Sequence, residues 1–412
     1  MLVKGKTFCF EVPDGWASDD RSGQVIAVSG TASLGFMPNA VLRESRIDER
    51  RDALAAVSQA RLRSSEGRLP GTLTLGVQAL ERHGVEHRRL WYLLPLTPDG
   101  LHGNVLSILG MQELVVAEGV VAELTVSVPL VEWNPGDLHH AMLDTLRPLP
   151  PEERAEPETR AEVPVPELDE WATARDGKPR EELTGVEPPE LVLQGAPLVL
   201  SDEAVDLFTT NAQNRVFAPV TGDVGDELAA AGLVDEAGNL TPDGFWYADH
   251  ILSGEFRRIS FAGPERDDVR FWFTDPSAVL AIPHPEQEGL RLLGYCPSND
   301  LFRLFLSWAG ITPSWPMELN LELDEGAFRA KADRGVVPQG HDGDAGEFLT
   351  RDWRLTSLSG LNGSILNWIH TDARGDAMVW DGSRLNDTII IEQNPSEPFW
   401  WTLIEAVVKE GE

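Results

Sequence analysis

PLPPEERAEPETRAEVPVPELDEWATARDGKPREELTGVEPPE, residues 148–190, carries nine prolines and thirteen carboxylates with almost no apolar periodicity. A segment of that kind buries too little surface to offset the entropy of ordering its backbone, so it is expected to be an extended, mostly disordered acidic linker rich in proline. It divides the chain into a first folded part, residues 1–147, and a second, residues 191–412, each of a size that suits one domain. With 42% hydrophobic residues among 412, both parts can build ordinary cores.

The formal charge of −33 is unevenly spread, with 14 basic and 18 acidic residues before the linker, 5 and 13 within it, and 15 and 36 after it. A field of that sign repels phosphate backbones and anionic lipid, so nucleic acid is excluded as a partner and a basic protein segment is favoured. The plain alternative is that the acidity serves solubility alone. Cys9 and Cys296 fall in different domains, which predicts free thiols in a reducing compartment rather than a disulfide framework. The opening MLVKGKTFCFEVPDGW lacks the apolar core of a signal peptide, and no apolar run of about 18 residues occurs. The expectation is a cytoplasmic protein without membrane insertion.

In the first domain, Phe8, Phe10 and Val12 alternate with Thr7, Cys9 and Glu11, the period of a half-buried strand. Further strands are expected over residues 24–29 and 39–47. Asp48 can cap a helix with Ala53, Leu54, Val57 and Ala60 on its apolar side and arginines elsewhere. Strands then follow over 72–82, 85–96, 104–116 and 120–128, with Gly84, Gly100 and Gly119 at the connections. A helix over 137–146 closes the domain. Such an order describes an α+β layer fold, an antiparallel sheet with helical cover.

FEVPDGW at Phe10–Trp16, then FMPNAVL at Phe36–Leu42, a helix and four strands, resemble the PsbP/DcrB-like family, in the form found in actinobacterial lipoproteins of the LpqN type. The resemblance spans nearly all of the first 147 residues, and it implies protein binding rather than chemistry. The chain departs from the lipoprotein form in lacking a signal peptide and a lipid-bearing cysteine.

The second domain opens with helices expected over 201–214, 226–231 and 241–252, capped by Ser201 and by Thr241-Pro242. Strands are expected over 256–261, 269–274, 278–282 and 289–296, then a helix after Asp300 and a strand over 318–323. A polar loop is expected around 339–347, four strands over 353–358, 365–371, 376–380 and 388–392, and a last helix capped by Ser396. The helical layer carrying GLVDEAGNLTPDG at Gly232–Gly244 and the strand containing ARGDAMVWDG at Ala373–Gly382 are similar to the EspG family of ESX, or type VII, secretion chaperones. That resemblance implies a cytoplasmic chaperone holding secretion substrates.

No catalytic, cofactor-binding or metal site emerges from the motifs. Glu81, His83, Glu86 and His87 lie close in sequence but straddle the turn at Gly84, and residues 341–347 lack the ligand spacing of a calcium loop. There is no nucleophile elbow, phosphate-cradling loop or dinucleotide fingerprint. Phe271-Trp272-Phe273 and Phe399-Trp400-Trp401 put large rings on both faces of their elements. Two readings stay open: a partner-binding patch anchored by Trp272 and Trp401, or burial on both sides of a covered sheet. The sequence thus points to a non-enzymatic adaptor or chaperone for protein substrates of a type VII-like secretion system. An immunity-type protein neutralising a basic toxin and an uncharacterised hydrolase are the alternatives.

Overall fold

The computed structural model describes residues 1–21, 24–32, 35–68, 72–96, 106–132, 138–183, 186, 194–216, 218–262, 268–274, 277–297, 301, 304, 313–317, 319–360, 363–371, 375–383, 388–393 and 402. They form two compact units. The first holds Met1–Glu190 and, among later described residues, 313–316; the second holds Leu191–Leu304 and Met317–Asn394. Each is an antiparallel sheet with helical cover, the α+β class expected.

In the first unit, β1 (Leu2–Lys4), β2 (Phe8–Glu11) and β10 (Arg147–Pro148) form a small sheet in the order β1-β2-β10. The main sheet has seven strands: β3 (Ala17–Arg21), β4 (Gln24–Val28), β5 (Asn39–Arg46), β6 (Leu73–Arg82), β7 (Val85–Leu96), β8 (Leu106–Ala117) and β9 (Val120–Pro129). Their spatial order is β3-β4-β5-β9-β8-β7-β6. Two-residue hairpins join β6 to β7 and β8 to β9, with positive φ at both central residues, His83-Gly84 and Glu118-Gly119. That is the type I′ geometry whose twist matches the strands. Helix α1 (Ala53–Arg68) lays Val57 and Leu62 on Val77, Leu90, Leu114 and Val121, while α2 (Leu138–Asp144) packs on β8, β9 and β2. With both faces covered, β8 is buried along most of its length, as central strands are.

The expected disordered linker is corrected by this unit. Residues 148–183 form an ordered strap over α1 and the sheet. Arg46 N–H donates to the Thr159 carbonyl at 2.9 Å and Ala161 N–H returns a bond to Arg46 O at 2.8 Å, a parallel bridge extending β5. Gln59 on α1 donates to the carbonyls of Glu167 and Glu182 at 3.1 and 3.3 Å and accepts from Glu167 N–H at 2.9 Å. Within the strap, α3 (Glu170–Asp176) is capped by Asp169, which accepts from Ala172 N–H, and ends at Gly177 in the left-handed conformation. Ala172, Leu183 and Val186 join the core under α1. The ordering entropy is offset by hydrogen bonds to distant residues and a few apolar plugs, and proline lowers the entropy the unfolded strap has to lose. The boundary between the units falls at Glu190 and Leu191, close to the expected end of the linker.

The second unit is built on ten strands: β11 (Gln194–Ser201), β12 (Glu255–Ala262), β13 (Asp268–Thr274), β14 (Ser277–Pro283), β15 (Leu290–Pro297), β16 (Asn320–Asp324), β17 (Arg354–Gly360), β18 (Gly363–Thr371), β19 (Gly375–Ser383) and β20 (Thr388–Glu392). The order is β11-β15-β14-β13-β12-β17-β18-β19-β20-β16. One face carries α4 (Asp202–Gln213), α5 (Asp223–Ala230) and α6 (Pro242–Ser253), whose Val205, Phe208, Leu228 and Ile251 meet Trp272, Val279, Ala281 and Leu293. The caps are those expected: Ser201 Oγ accepts from Ala204 N–H and Thr241 Oγ1 from Gly244 N–H. Helices α7 (Glu325–Arg334) and α8 (Gly343–Thr350) complete the described elements, and α8 stands where a polar loop was expected. Of the helix expected after Asp300, Leu301 and Leu304 are described and buried; the helix expected after Ser396 lies outside the described residues.

Candidate functional site

Trp272 does not present itself to a partner. It is 1% exposed, set in β13 beneath α6 with the Phe256 ring 5.5 Å away, and its neighbour Phe271 is equally buried on the opposite face. The partner-anchor reading of Trp272 is therefore corrected: both faces of this central strand are covered, so both rings belong to cores. Trp401 lies outside the described residues.

The four ligand-type residues around Gly84 disperse. Glu81 bonds Lys178 at 3.2 Å, Glu86 is held by Arg88 and Arg180, and His87 turns to the other face, where its Nδ1 lies 2.9 Å from Glu113. Burial alone would push the Glu86 carboxyl up, but the two guanidiniums more than offset it and hold the group below its ordinary range. Glu113 also accepts from Arg89 Nε at 2.6 Å, and Arg89 reaches Asp144 of α2 at 2.7 Å. On the strap side, Arg88 Nε donates to the fully buried Glu181 carboxylate at 3.2 Å, and Trp315 Nε1 donates to the Glu181 carbonyl at 2.8 Å. Arg88 and Arg180 both stack over the Trp315 ring, at 5.2 and 5.3 Å. These buried charges are matched to one another, and they fasten the strap and α2 to the sheet.

The second unit offers a different kind of feature. Helix α6 starts where Gly244 passes the backbone of Leu233 so closely that a Cβ there would sit 1.8 Å from the Leu233 carbonyl oxygen. Thr241 caps it and also donates to the Gly232 carbonyl at 2.5 Å. With its start fixed, a rotation of 100° per residue sends Gly244, Ala248 and Ile251 into the core and Phe245 and Trp246 outward. Phe245 is 60% exposed and Trp246 37%. Trp246 meets Tyr295 of β15, itself 41% exposed, edge-on at 5.6 Å, and it contacts Tyr247 at 5.0 Å and His250 at 4.0 Å. His250 Nδ1 is 2.9 Å from the Trp246 carbonyl oxygen, which fixes that ring in turn. Burial raises the Tyr247 hydroxyl above its ordinary range, with Tyr295 and Asp243 adding to the effect.

This is a preorganised aromatic surface on a rigid helix. Chemically it can hold apolar and cationic side chains. A crevice of about 20 Å³ between α4 and α6, lined by Phe208, Ala212, Val216, Val220, Leu240 and Ala248, has room for about one water and none for a metabolite. The nearby sheet edge, β11, contains Pro197, which brings no backbone N–H, so strand addition there is blunted. The sequence signal for the patch was present: the helical wheel from the Thr241 cap sets Phe245 and Trp246 opposite the small and apolar residues.

No protein-family model matches the chain, and no curated protein does. Among solved structures it is similar to the PsbP protein CyanoP of Synechocystis, at 15% identity over 34% of this chain and 86% of that one, with a TM-score of 0.28. It is similar to LpqN of Mycobacterium tuberculosis, described as involved in cell envelope biogenesis, at 18% identity over 36% and 90%, TM-score 0.28. A third likeness is to the Ran-binding protein Mog1p of Saccharomyces cerevisiae, at 10% identity over 36% and 93%, TM-score 0.26. PsbP and LpqN are the two forms that the Phe10–Trp16 and Phe36–Leu42 motifs resemble; the likenesses assign no function.

Proposed function

We propose that this protein is a non-enzymatic adaptor or chaperone that holds a protein partner on the α6 face of its second unit. The partner in this reading is a substrate of a specialised, type VII-like secretion system, met inside the cell before export. The observation that supports binding is the exposed set Phe245, Trp246 and Tyr295, with Trp246 and Tyr295 held edge-on to each other. Aromatic residues held rigid at a surface are the groups that anchor protein interfaces. The secretion context rests on the EspG resemblance of Gly232–Gly244, the segment that caps and seats α6. Among the described residues, no helix is long and apolar enough to cross a membrane.

The test is a pull-down from native lysate with the full chain, comparing wild type with the double variant F245A/W246A. A secretion substrate retained by the wild type and lost by the variant is the expected result. A secreted toxin retained in the same way transfers the proposal to immunity. Equal retention by both proteins, or turnover of a small substrate with no partner retained, removes it.

A further inference from the structure

We infer that the segment seated on α6 is a cationic amphipathic stretch of the partner, its apolar side chains on Phe245 and Trp246 and its Lys or Arg groups on Asp243 and Asp249. This rests on the adaptor reading above and goes further, to the chemistry of the partner.

Residues 194–254, which carry the helical layer, hold ten carboxylates and one basic residue, Arg215. Four of the ten are engaged within the fold. Asp202 pairs with Arg291 and Asp206 with Arg270, Glu227 accepts from Ser201, and Asp235 closes its own turn with Ala237 and Asn239. Glu203, Asp223, Asp226, Glu236, Asp243 and Asp249 are exposed and have no ion-pair partner among the described residues. Two of these six sit on α6 beside the rings. Asp249 is one turn after Phe245, and Asp243 is one turn before Trp246, spacings that place side chains side by side on a helix.

Each outward ring therefore has a carboxylate next to it, and the charge disfavours the other occupants. A second copy of this chain in a two-fold contact would bring the Asp243 and Asp249 carboxylates of the two copies together, a like-charge juxtaposition. An anionic lipid surface or nucleic acid meets the same repulsion. A cationic segment gains both from the carboxylates and from the ring faces, which attract Lys and Arg directly. Steering by the surrounding acidic layer should speed encounter, while the rings set the lifetime of the complex.

The experiment uses the full chain labelled with 5-fluorotryptophan, the Trp246 resonance being assigned by its loss in W246F. The probes are a synthetic Leu/Lys amphipathic helix, its twin with every Lys replaced by Glu, and neutral phosphatidylcholine vesicles. The Lys peptide is expected to shift the Trp246 resonance. F245A, at an exposed position, should weaken its binding by roughly tenfold or more. D243N/D249N should weaken it by roughly three- to tenfold at low salt, with the difference shrinking as salt rises. Equal binding by the Glu twin, a response to vesicles but not to the Lys peptide, or Lys-peptide binding indifferent to F245A would each overturn the inference. A lysate partner captured through Phe245 that contains no cationic amphipathic segment overturns it too, and leaves the adaptor reading standing.

Discussion

Glu181 shows how a single side chain holds this fold together. Its carboxylate is fully buried, paired with Arg88, which is equally buried, while its carbonyl receives the Trp315 indole. Replacing it with alanine leaves Arg88 Nε buried without an acceptor while Glu86 and the Pro179 carbonyl still hold the rest of the guanidinium, and losing one such buried partner costs about 1–3 kcal/mol. E181A should lower the denaturant midpoint of the first unit accordingly, and an unchanged midpoint would contradict the pairing. Glu86, nearer the surface, supplies a pH signature. Its folded pKa is depressed below the ordinary 4.5, so its contribution is fully present above that value and is lost as pH falls through the folded pKa. E86Q should flatten the loss of stability on acidification below about 4.5, measured by urea titration across that range. The same slope in wild type and variant would show that Arg88 and Arg180 do not hold it. Neither cysteine sits in a disulfide: Cys9 and Cys296 are both buried, and burial pushes the Cys9 thiol up, away from reactivity.

Among elements, the strap is the one that most separates sequence from structure. The strands over 72–96 and 106–129 were legible because alternation and glycine turns are local signals, and α4 and α6 because their caps are. Residues 148–183 carry such a signal only at α3, which Asp169 caps and Gly177 ends. Their order comes from Arg46, Gln59, Arg88 and Trp315, residues distant in sequence that meet the strap's carbonyls and carboxylates one by one. Composition alone reads that as disorder. The same logic explains α8, a short helix whose Phe348 meets Trp353 at 5.3 Å in a stretch that reads as polar. The aromatic patch was half legible. Ring size drew the reading to Phe271-Trp272-Phe273, where both sheet faces are covered, whereas the helix period at Phe245-Trp246 marks an outward face. Brief proteolysis of the full chain should leave 148–183 uncut, since its backbone is bonded to the sheet and to α1. Early cleavage between Pro151 and Lys178, read by mass spectrometry, would return that stretch to the status of a free linker.

At the scale of the molecule, the two units carry their charge differently. In the first, basic residues meet several of the strap's carboxylates, as at Arg46–Glu156, Lys6–Glu158 and Arg63–Glu167. Those exposed pairs add little stability each, whereas the acidic helical layer of the second unit sets unpaired carboxylates beside exposed rings. The central claim is that this layer, at α6, is where the protein meets its partner. Site-directed photo-crosslinking in the native cell tests it most directly, with a benzoylphenylalanine at position 245 in the full chain and a control at position 165, where Val165 is 75% exposed on the first unit. A discrete protein adduct at 245 and none at 165 is the predicted result; no adduct at 245, or the same adducts at both positions, would contradict it.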